Sequence, residues 1–326
     1  IIWEEIIKIW NKKKFFLKLK MSINEKILST ILYEYLIKKK SKNNSIIFYS
    51  FWSNYTLLTF SMLKKVFPKS KFIARSLGSD INGYIKNDNY VPFKNYKFKD
   101  LDKLILLGDY QKEVFNDLPI RLSNFEICPI GVFKQPNLSS KIDNDKIIFL
   151  SCGNFIDIKN NHLMINFINK ICNLSKKKIE FILIGNGKLE QSIISELEKY
   201  RNLFSFKHYR HVDNLVKFIE KNKVHFFLNF SSQEGMPFSV MESMSCGIPT
   251  IASNIKPNEY LVKNNGYLFD LENYENSITK TIEELKLDLS NNKNYINKSI
   301  NSQKFINKYL INENCFEKFI DVIKNI

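Results

Sequence analysis

The chain has 326 residues, 44% of them apolar, and a formal net charge of +16. That length suits two domains, each able to bury its own core, and no apolar run is long enough to span a bilayer. Only four of the 49 basic residues are Arg, the usual reader of phosphates and bases, so the charge does not point to nucleic acid and most of the lysines read as solvated surface.

In chain order, IIWEEIIKIW at the start carries acidic residues and no cleavage-site pattern, so it is not a signal peptide. The chain lacks an initiator Met, and the expectation is a fragment or an incomplete gene model. Residues 22–42 have apolar positions at helical spacing and end in a Lys run. Lys8 to Lys20 and Lys38 to Lys40 are the candidates for contact with an anionic membrane face. SIIFYSFW (45–52) reads as a buried strand, followed by a helix near 54–66. Further strands are expected at 71–76, 103–108 and 126–131. The stretch from 132 to 146 (VFKQPNLSSKIDNDK) clusters Pro, Ser, Asn and charge, and reads as the domain boundary.

The second half alternates regularly. Strands are expected at 146–153, 179–185, 203–209, 224–230, 248–253 and 267–270, with amphipathic helices between them. Alternation of this kind implies a parallel sheet with right-handed crossovers. Charged amphipathic helices follow, at about 274–310 and 312–325. Five scattered cysteines without a CxxC pair, and four histidines without metal-ligand spacing to them, fit reduced thiols in the cytoplasm and no metal site.

The most informative segment is EGMPFSVMESMSCGIP, from Glu234 to Pro249. It reads as a tight loop and a short helix between two strands, and such a loop lies at the carboxyl end of a sheet strand, where ligands bind. Pro237 suits the first helical position and Gly247 the stop. Phe238, Met241 and Met244 share one helical face; Ser239, Glu242, Ser243 and Cys246 share the other. Backbone N–H groups at the helix start make an anion site, while two carboxylates suit hydroxyls. Together they suggest a ligand rich in hydroxyls with phosphate nearby, and a nucleotide sugar has both.

The pattern E-G-x-P, an apolar position, the second Glu and S-x-G-x-P-x-I-A resembles the signature of the group 1 (family 4) retaining glycosyltransferases, with closest likeness to bacterial capsule, exopolysaccharide and lipopolysaccharide enzymes. The resemblance implies an α/β fold of GT-B type, two Rossmann-like doubly wound domains facing a cleft, with the N-terminal one truncated, since only about four strands precede the boundary. Residues 1–134 would form the acceptor-side domain and 135–305 the nucleotide-sugar domain, with 306–326 as a helix that can return to the first. It implies a hexosyltransferase-type enzyme that retains configuration, needs no cofactor or metal, and works at the cytoplasmic face of the membrane on a glycan or lipid-linked acceptor. Glu234 would be the catalytic carboxylate, holding sugar hydroxyls near the reacting carbon. Lys159 and the backbone of Gly235, Met236, Pro237 and Phe238 would bind the diphosphate, and Glu242 the ribose.

Three other segments resemble parts of that family. SCGNFIDIKNN (151–161) is its first phosphate loop, with Gly153 and Lys159 matching and Asn154 in place of the commoner Arg. LIGNGKLE (183–190) is similar to its G-D-G loop through Gly185 and Gly187, and YRHVDN (209–214) lies where the family has a glycine loop near the base, with Arg210 at the glycine position. ARSLGSDIN (74–82) resembles R-A-H-G-Y-D: Arg75 and Asp80 match on the acceptor side, as functional groups or as a structural ion pair, and Leu77 replaces the histidine that faces the reacting sugar. FWSNYT (51–56) resembles a family segment of the cleft. The alternative is a weakened or inactive sugar-nucleotide-binding relative; a nucleic-acid-binding protein is disfavoured by the scarcity of Arg.

Overall fold

The computed structural model describes residues 2–10, 12–39, 46–78, 80, 90–117, 124–139, 142, 145–172, 177–290 and 292–326. Of the segments discussed above, residues 1, 11, 40–42, 45, 79, 81, 82, 121, 140, 141, 143, 144, 173, 174 and 291 lie outside the described residues. The chain divides into two compact units, Ile1–Pro129 with Glu317–Ile326, and Ile130–Phe316. No helix among the described residues is long and apolar enough to cross a membrane.

The first unit opens with helices α1 (Ile2–Ile9) and α2 (Phe15–Lys38). Strands and helices then alternate: β1 (Ile47–Ser50), α3 (Tyr55–Leu63), β2 (Lys71–Arg75), α4 (Lys94–Lys97), β3 (Lys103–Leu106), α5 (Tyr110–Asp117) and β4 (Phe125–Ile127). The described strands form a parallel sheet in the order β1-β2-β3-β4. Asn54 caps α3 by accepting from the Thr56 N–H. Phe48 stacks on Phe72 with ring centroids 4.9 Å apart, over a core of Leu57, Leu63, Phe67 and Leu104. The expectation of a buried first strand is corrected: among the described strands β1 lies at the edge and pairs with β2 alone, and Ile47 and Tyr49 on one of its faces are exposed.

The second unit runs β5 (Lys146–Cys152), a 3-10 turn (Asp157–Lys159), α6 (Asn161–Cys172), β6 (Lys178–Ile184), α7 (Glu190–Glu198), β7 (Ser205–Tyr209), α8 (Leu215–Asn222), β8 (Phe226–Asn229), α9 (Phe238–Ser245), β9 (Thr250–Ser253), α10 (Lys256–Leu261) and β10 (Gly266–Phe269). It continues through α11 (Tyr274–Ser290), α12 (Asn292–Tyr309) and the start of α13 (Asn312–Lys324). Its parallel sheet has the order β10-β9-β8-β5-β6-β7. The chain therefore leaves β5 in one direction to β6 and β7, then returns to the other side of β5 for β8, β9 and β10. Strand order reverses between β5 and β8, held in register by Phe149 against Phe226 and Leu150 against Phe227. Phe149, Phe167, Phe181, Phe226 and Phe230 fill the core beneath. His225 belongs to that core: its Nδ1 accepts the Ile148 N–H at 3.0 Å, and Tyr295 donates to its carbonyl.

Candidate functional site

A doubly wound sheet leaves a crevice at the carboxyl ends of its strands where strand order reverses. Here that crevice is framed by the loops after β5 and β8. Several bonds tie the two loops together. The Ser232 N–H donates to the Ile158 carbonyl at 2.8 Å, and Asn160 Nδ2 donates to the Phe230 carbonyl at 2.8 Å. Asn160 can turn back in this way because it adopts the left-handed conformation (φ 48°), which Asn tolerates better than most residues.

Lys159 and Glu234 meet at this junction, with Nζ 2.5 Å from Oε1. The same oxygen accepts from Ser231 Oγ at 2.6 Å and from Asn229 Nδ2 at 3.2 Å. Asn229 is held in turn by buried Asn258, whose Nδ2 donates to Asn229 Oδ1 at 3.1 Å. A carboxylate with three donors on one oxygen is fixed in place, and the lysine beside it supplies a positive charge at the carboxyl ends of the central strands.

Helix α9 follows the loop. The structure places Pro237 at the N-cap, one position before the helix, and not at its first residue as the sequence suggested; ψ of 97° at Pro237 is extended, so the helical run starts at Phe238. The expected stop is present. Gly247 has φ +76°, its N–H bonds to the Met244 carbonyl and the Ile248 N–H to that of Ser243, which is a Schellman cap. Ser239 Oγ donates to the Cys152 carbonyl at 3.1 Å, pinning the helix start to the end of β5. The Phe238 and Ser239 N–H groups have no partner among the described residues, leaving two donors at the positive end of the helix.

The expected division of α9 into two faces needs correction. Met241 and Met244 are buried, but Phe238 is exposed, and Ser243 and Cys246, expected on the polar face, are both buried. Phe238 precedes Glu242 by one helical turn, so the two stand together. They face a cavity of about 570 Å³ lined also by Gly153, Asn154, Gly185, Asn186, the Arg210–Val216 loop and Ser245. The half-buried Glu242 carboxylate has no hydrogen-bond or ion-pair partner among the described residues. Burial pushes its pKa above the ordinary carboxylate value of 4.5. Burial also raises the neighbouring Cys152 thiol to about 11, with the Glu242 charge adding to it, so this sulfur is an inert neutral wall and not a nucleophile.

The glycines divide by role. Gly185 (φ +145°) and Gly187 (φ +154°) occupy backbone conformations that side chains rarely adopt. A Cβ at Gly185 would lie 2.0 Å from the Gly153 carbonyl oxygen, and one at Gly187 2.5 Å from that of Phe155. Gly153 has no such conflict: a Cβ there would meet only the Lys159 side chain, at an ordinary 3.7 Å. Gly153 lines the cavity, and its missing side chain leaves room beside Lys159, which, like Glu234, does not itself line it. Gly187 lies outside this cavity, lining a separate, more open depression with Lys188 and Glu190. Gly235 follows Glu234 in the loop, and Met236 and Pro237 are buried in it without lining the cavity. Arg210, expected at a glycine position, extends into solvent and pairs with Glu190 at 3.2 Å.

Some lining residues had no signal as site residues. Phe133 and Gln135 come from the stretch whose composition reads as linker. Gln303 Nε2 donates both to the Gln135 carbonyl and to the Ser245 carbonyl, at 3.0 Å each, which fixes that stretch over the end of α9.

In the first unit, Arg75 and Asp80 do not form the ion pair that their closeness in sequence allowed. Arg75 is buried; it donates to Tyr49 Oη and to the Cys128 carbonyl, each at 3.0 Å, and lies over the Phe319 ring at 5.1 Å. Asp80 Oδ2 accepts from the Ser53 N–H, Ser53 Oγ and the Leu77 N–H. They part because Arg75, at the end of β2, reaches Tyr49 on β1 and the Cys128 carbonyl just after β4, while Asp80 Oδ2 turns to the loop after β1; Asp80 Oδ1 is buried without a hydrogen-bond partner among the described residues. No group of three or more His, Cys, Asp or Glu side chains that could hold a metal occurs among the described residues.

A family model described as glycosyl transferases group 1 matches residues 136–302, 167 of the 326. Among curated relatives, an Escherichia coli UDP-Gal:alpha-D-GlcNAc-diphosphoundecaprenol alpha-1,3-galactosyltransferase is 25% identical over 44% of this chain and 38% of its own. An uncharacterized glycosyltransferase of Haemophilus influenzae is 26% identical over 69% of this chain and 61% of its own. The O-antigen biosynthesis glycosyltransferase WclY of Escherichia coli is 30% identical over 53% and 49%. The chain therefore spans between 38% and 61% of the length of these relatives. Among solved structures, Anabaena HepE in complex with UDP and glucose superimposes with a TM-score of 0.68 at 14% identity, covering 86% of this chain and 78% of that one. Sucrose-phosphate synthase from Thermosynechococcus elongatus gives 0.70 at 13%, covering 96% and 79%. At such identities the likeness establishes the fold, GT-B with Rossmann-like units. With its model matched over more than half of the residues, the chain belongs to the group 1 glycosyl transferases.

Proposed function

We propose that this protein is a hexosyltransferase that binds a nucleotide-sugar donor in the second unit and transfers the sugar, with retention of configuration, to a glycan or lipid-linked acceptor at the cytoplasmic side of a bacterial membrane. The observation that carries the reading is the Glu242 carboxylate, half-buried and without a partner among the described residues, on the wall of a nucleotide-sized cavity at the reversal of strand order. A carboxylate can only accept hydrogen bonds, so its complement is a pair of hydroxyls, as in a ribose.

The remaining groups follow from that anchor. The base lies along the Arg210–Val216 loop. The diphosphate lies over Gly153 and Asn154, where the Phe238 and Ser239 N–H groups and Lys159 neutralise it. As the bond from the anomeric carbon to the diphosphate oxygen breaks, negative charge grows on the leaving oxygen, and these same donors stabilise it. Glu234 holds sugar hydroxyls, its orientation set by Ser231 and Asn229. In this reading the reaction uses neither metal nor cofactor. The reading is supported by the family membership and by the O-antigen and diphosphoundecaprenol names of the relatives.

The test is binding and turnover with a panel of UDP- and GDP-sugars, comparing wild type with Glu234→Ala. At least one donor should bind and be hydrolysed or transferred by the wild type, with turnover lost in the variant. Failure to bind any donor overturns the proposal, and binding without turnover overturns its catalytic half.

A further inference from the structure

Helix α2 is apolar on two sides and covered on one. Towards the first unit it packs Met21, Tyr33, Leu36 and Ile37 against the core, and it covers polar groups as well: Ser22 and Ser29 are fully buried, with Ser22 Oγ 2.6 Å from Tyr90 Oη. The other side carries Phe16, Ile23, Ile27 and Ile31 along one line, with Leu17, Leu28 and Tyr35 beside it, all exposed. Phe16 is 82% accessible and Ile31 60%. Helix α1 and the residue that follows it add Trp3, Ile7 and Trp10 at one-turn spacing, also exposed.

Helices with apolar stripes on both sides are normally buried on both, and an exposed apolar patch of this extent marks an interaction surface. At 24 residues the helix that carries the stripe is about 36 Å long. Its ends are basic: Lys12, Lys13, Lys14 and Lys20 are exposed at one, Lys38 and Lys39 at the other. Glu34 on α2 and Glu4 on α1 are the exposed acids of these two helices. A second copy laid along it would set one lysine-rich end against another in either direction. A planar anionic surface matches both ends at once.

From this placement we infer that α1 and α2 form a docking surface for a bilayer bearing anionic lipid, with Phe16, Ile23, Ile27 and Ile31 sunk below the headgroups. Trp3 and Trp10 sit at the interface, where amphipathic rings are favoured, and the lysines contact headgroup phosphates. Docking of this kind does not depend on the donor site.

The test is co-sedimentation of the full chain with vesicles of phosphatidylcholine alone and of phosphatidylcholine mixed with phosphatidylglycerol. Binding to the mixed vesicles should be roughly tenfold or more stronger and should weaken with salt. Ile27→Ser with Ile31→Ser should reduce it by about tenfold or more. Lys12→Glu, Lys13→Glu and Lys14→Glu together should reduce it similarly. All these positions are exposed, so thermal melts should be unchanged. In a Trp52→Phe background, emission from Trp3 and Trp10 should shift to the blue on mixed vesicles. Equal binding to both vesicle types, or undiminished binding by either variant, overturns the inference. So does a dimer that the isoleucine substitutions convert to monomer while vesicle binding is kept.

Discussion

Lys159 Nζ lies 2.5 Å from Glu234 Oε1, joining the loops after two adjacent strands across 75 positions of sequence. The pair combines the positive charge proposed for the diphosphate with the carboxylate proposed for the sugar. Each group orients the other, so their losses should not multiply. Lys159→Met and Glu234→Gln should each lower donor turnover by about a hundredfold or more, and the double variant should fall well short of the product of the two. A fully multiplicative double variant would show that the two act independently.

The Glu242 carboxyl gives the site a pH dependence of defined sign. Burial raises its pKa above 4.5, so the neutral acid persists to higher pH than in an ordinary Glu. Ribose hydroxyls donate to the ionised form. Nucleotide affinity should therefore be full well above the raised pKa and fall as pH drops through it, as titration calorimetry with UDP or GDP between pH 5 and 8 would show. The free protein should follow the opposite trend. The folded state holds this proton where the unfolded chain has lost it, so the contribution to stability is present at low pH and is lost as pH rises through the folded pKa. Glu242→Gln should remove both dependences, weakening nucleotide binding while raising the melting temperature at neutral pH.

The glycines separate conformation from ligand contact. Gly185→Ala and Gly187→Ala should cost about 2 kcal/mol or more of stability, since each adds strain at positive φ and a backbone clash. Gly153→Ala should leave the melting temperature nearly unchanged and weaken nucleotide binding, because its methyl would stand in the open space beside Lys159. Equal destabilisation by all three would remove the distinction.

Much of the fold and of the donor site is legible in the sequence. Gly247 fixes a helix stop by its own conformational freedom, and the regular alternation of strands and helices fixes a parallel sheet, because both signals are local. The family resemblance likewise rests on contiguous residues. What the sequence conceals depends on distant neighbours. Periodicity counts Phe238 as core, yet the cavity lies on its side of α9. Pro237 stands one residue from its expected place because a cap and a first turn look alike in sequence. Phe133 and Gln135 have linker composition but are held over α9 by Gln303, from 168 positions away in the case of Gln135. Arg75 and Asp80 are near enough in sequence to pair, but each finds its partners on a different neighbouring segment. The apolar spacing of α2 is visible in the sequence, while the side of the helix left uncovered is not.

Arg75 should prove structural within the first unit. Replacing it with Met leaves the buried Cys128 carbonyl and Tyr49 hydroxyl without their donor and should destabilise the protein by about 2–4 kcal/mol. Nucleotide affinity, a property of the second unit, should change by less than about twofold, as expected for independent sites. Thermal melts and calorimetry on one preparation would decide. A large loss of nucleotide affinity in a protein of normal stability would assign Arg75 a part in binding.

Val322 packs with Ile73, Ile105 and Cys128, and Phe319 lies over Arg75, so the first unit takes part of its interior from the last ten residues, 317–326. The order of synthesis and the order of completion therefore differ. The ribosome delivers most of the first unit early, but its interior is finished only after the whole second unit has emerged. Until then Arg75 lacks its aromatic cover and Ile73 and Ile105 lack a neighbour. A nascent chain halted before Glu317 should hold a finished second unit behind an unfinished first one.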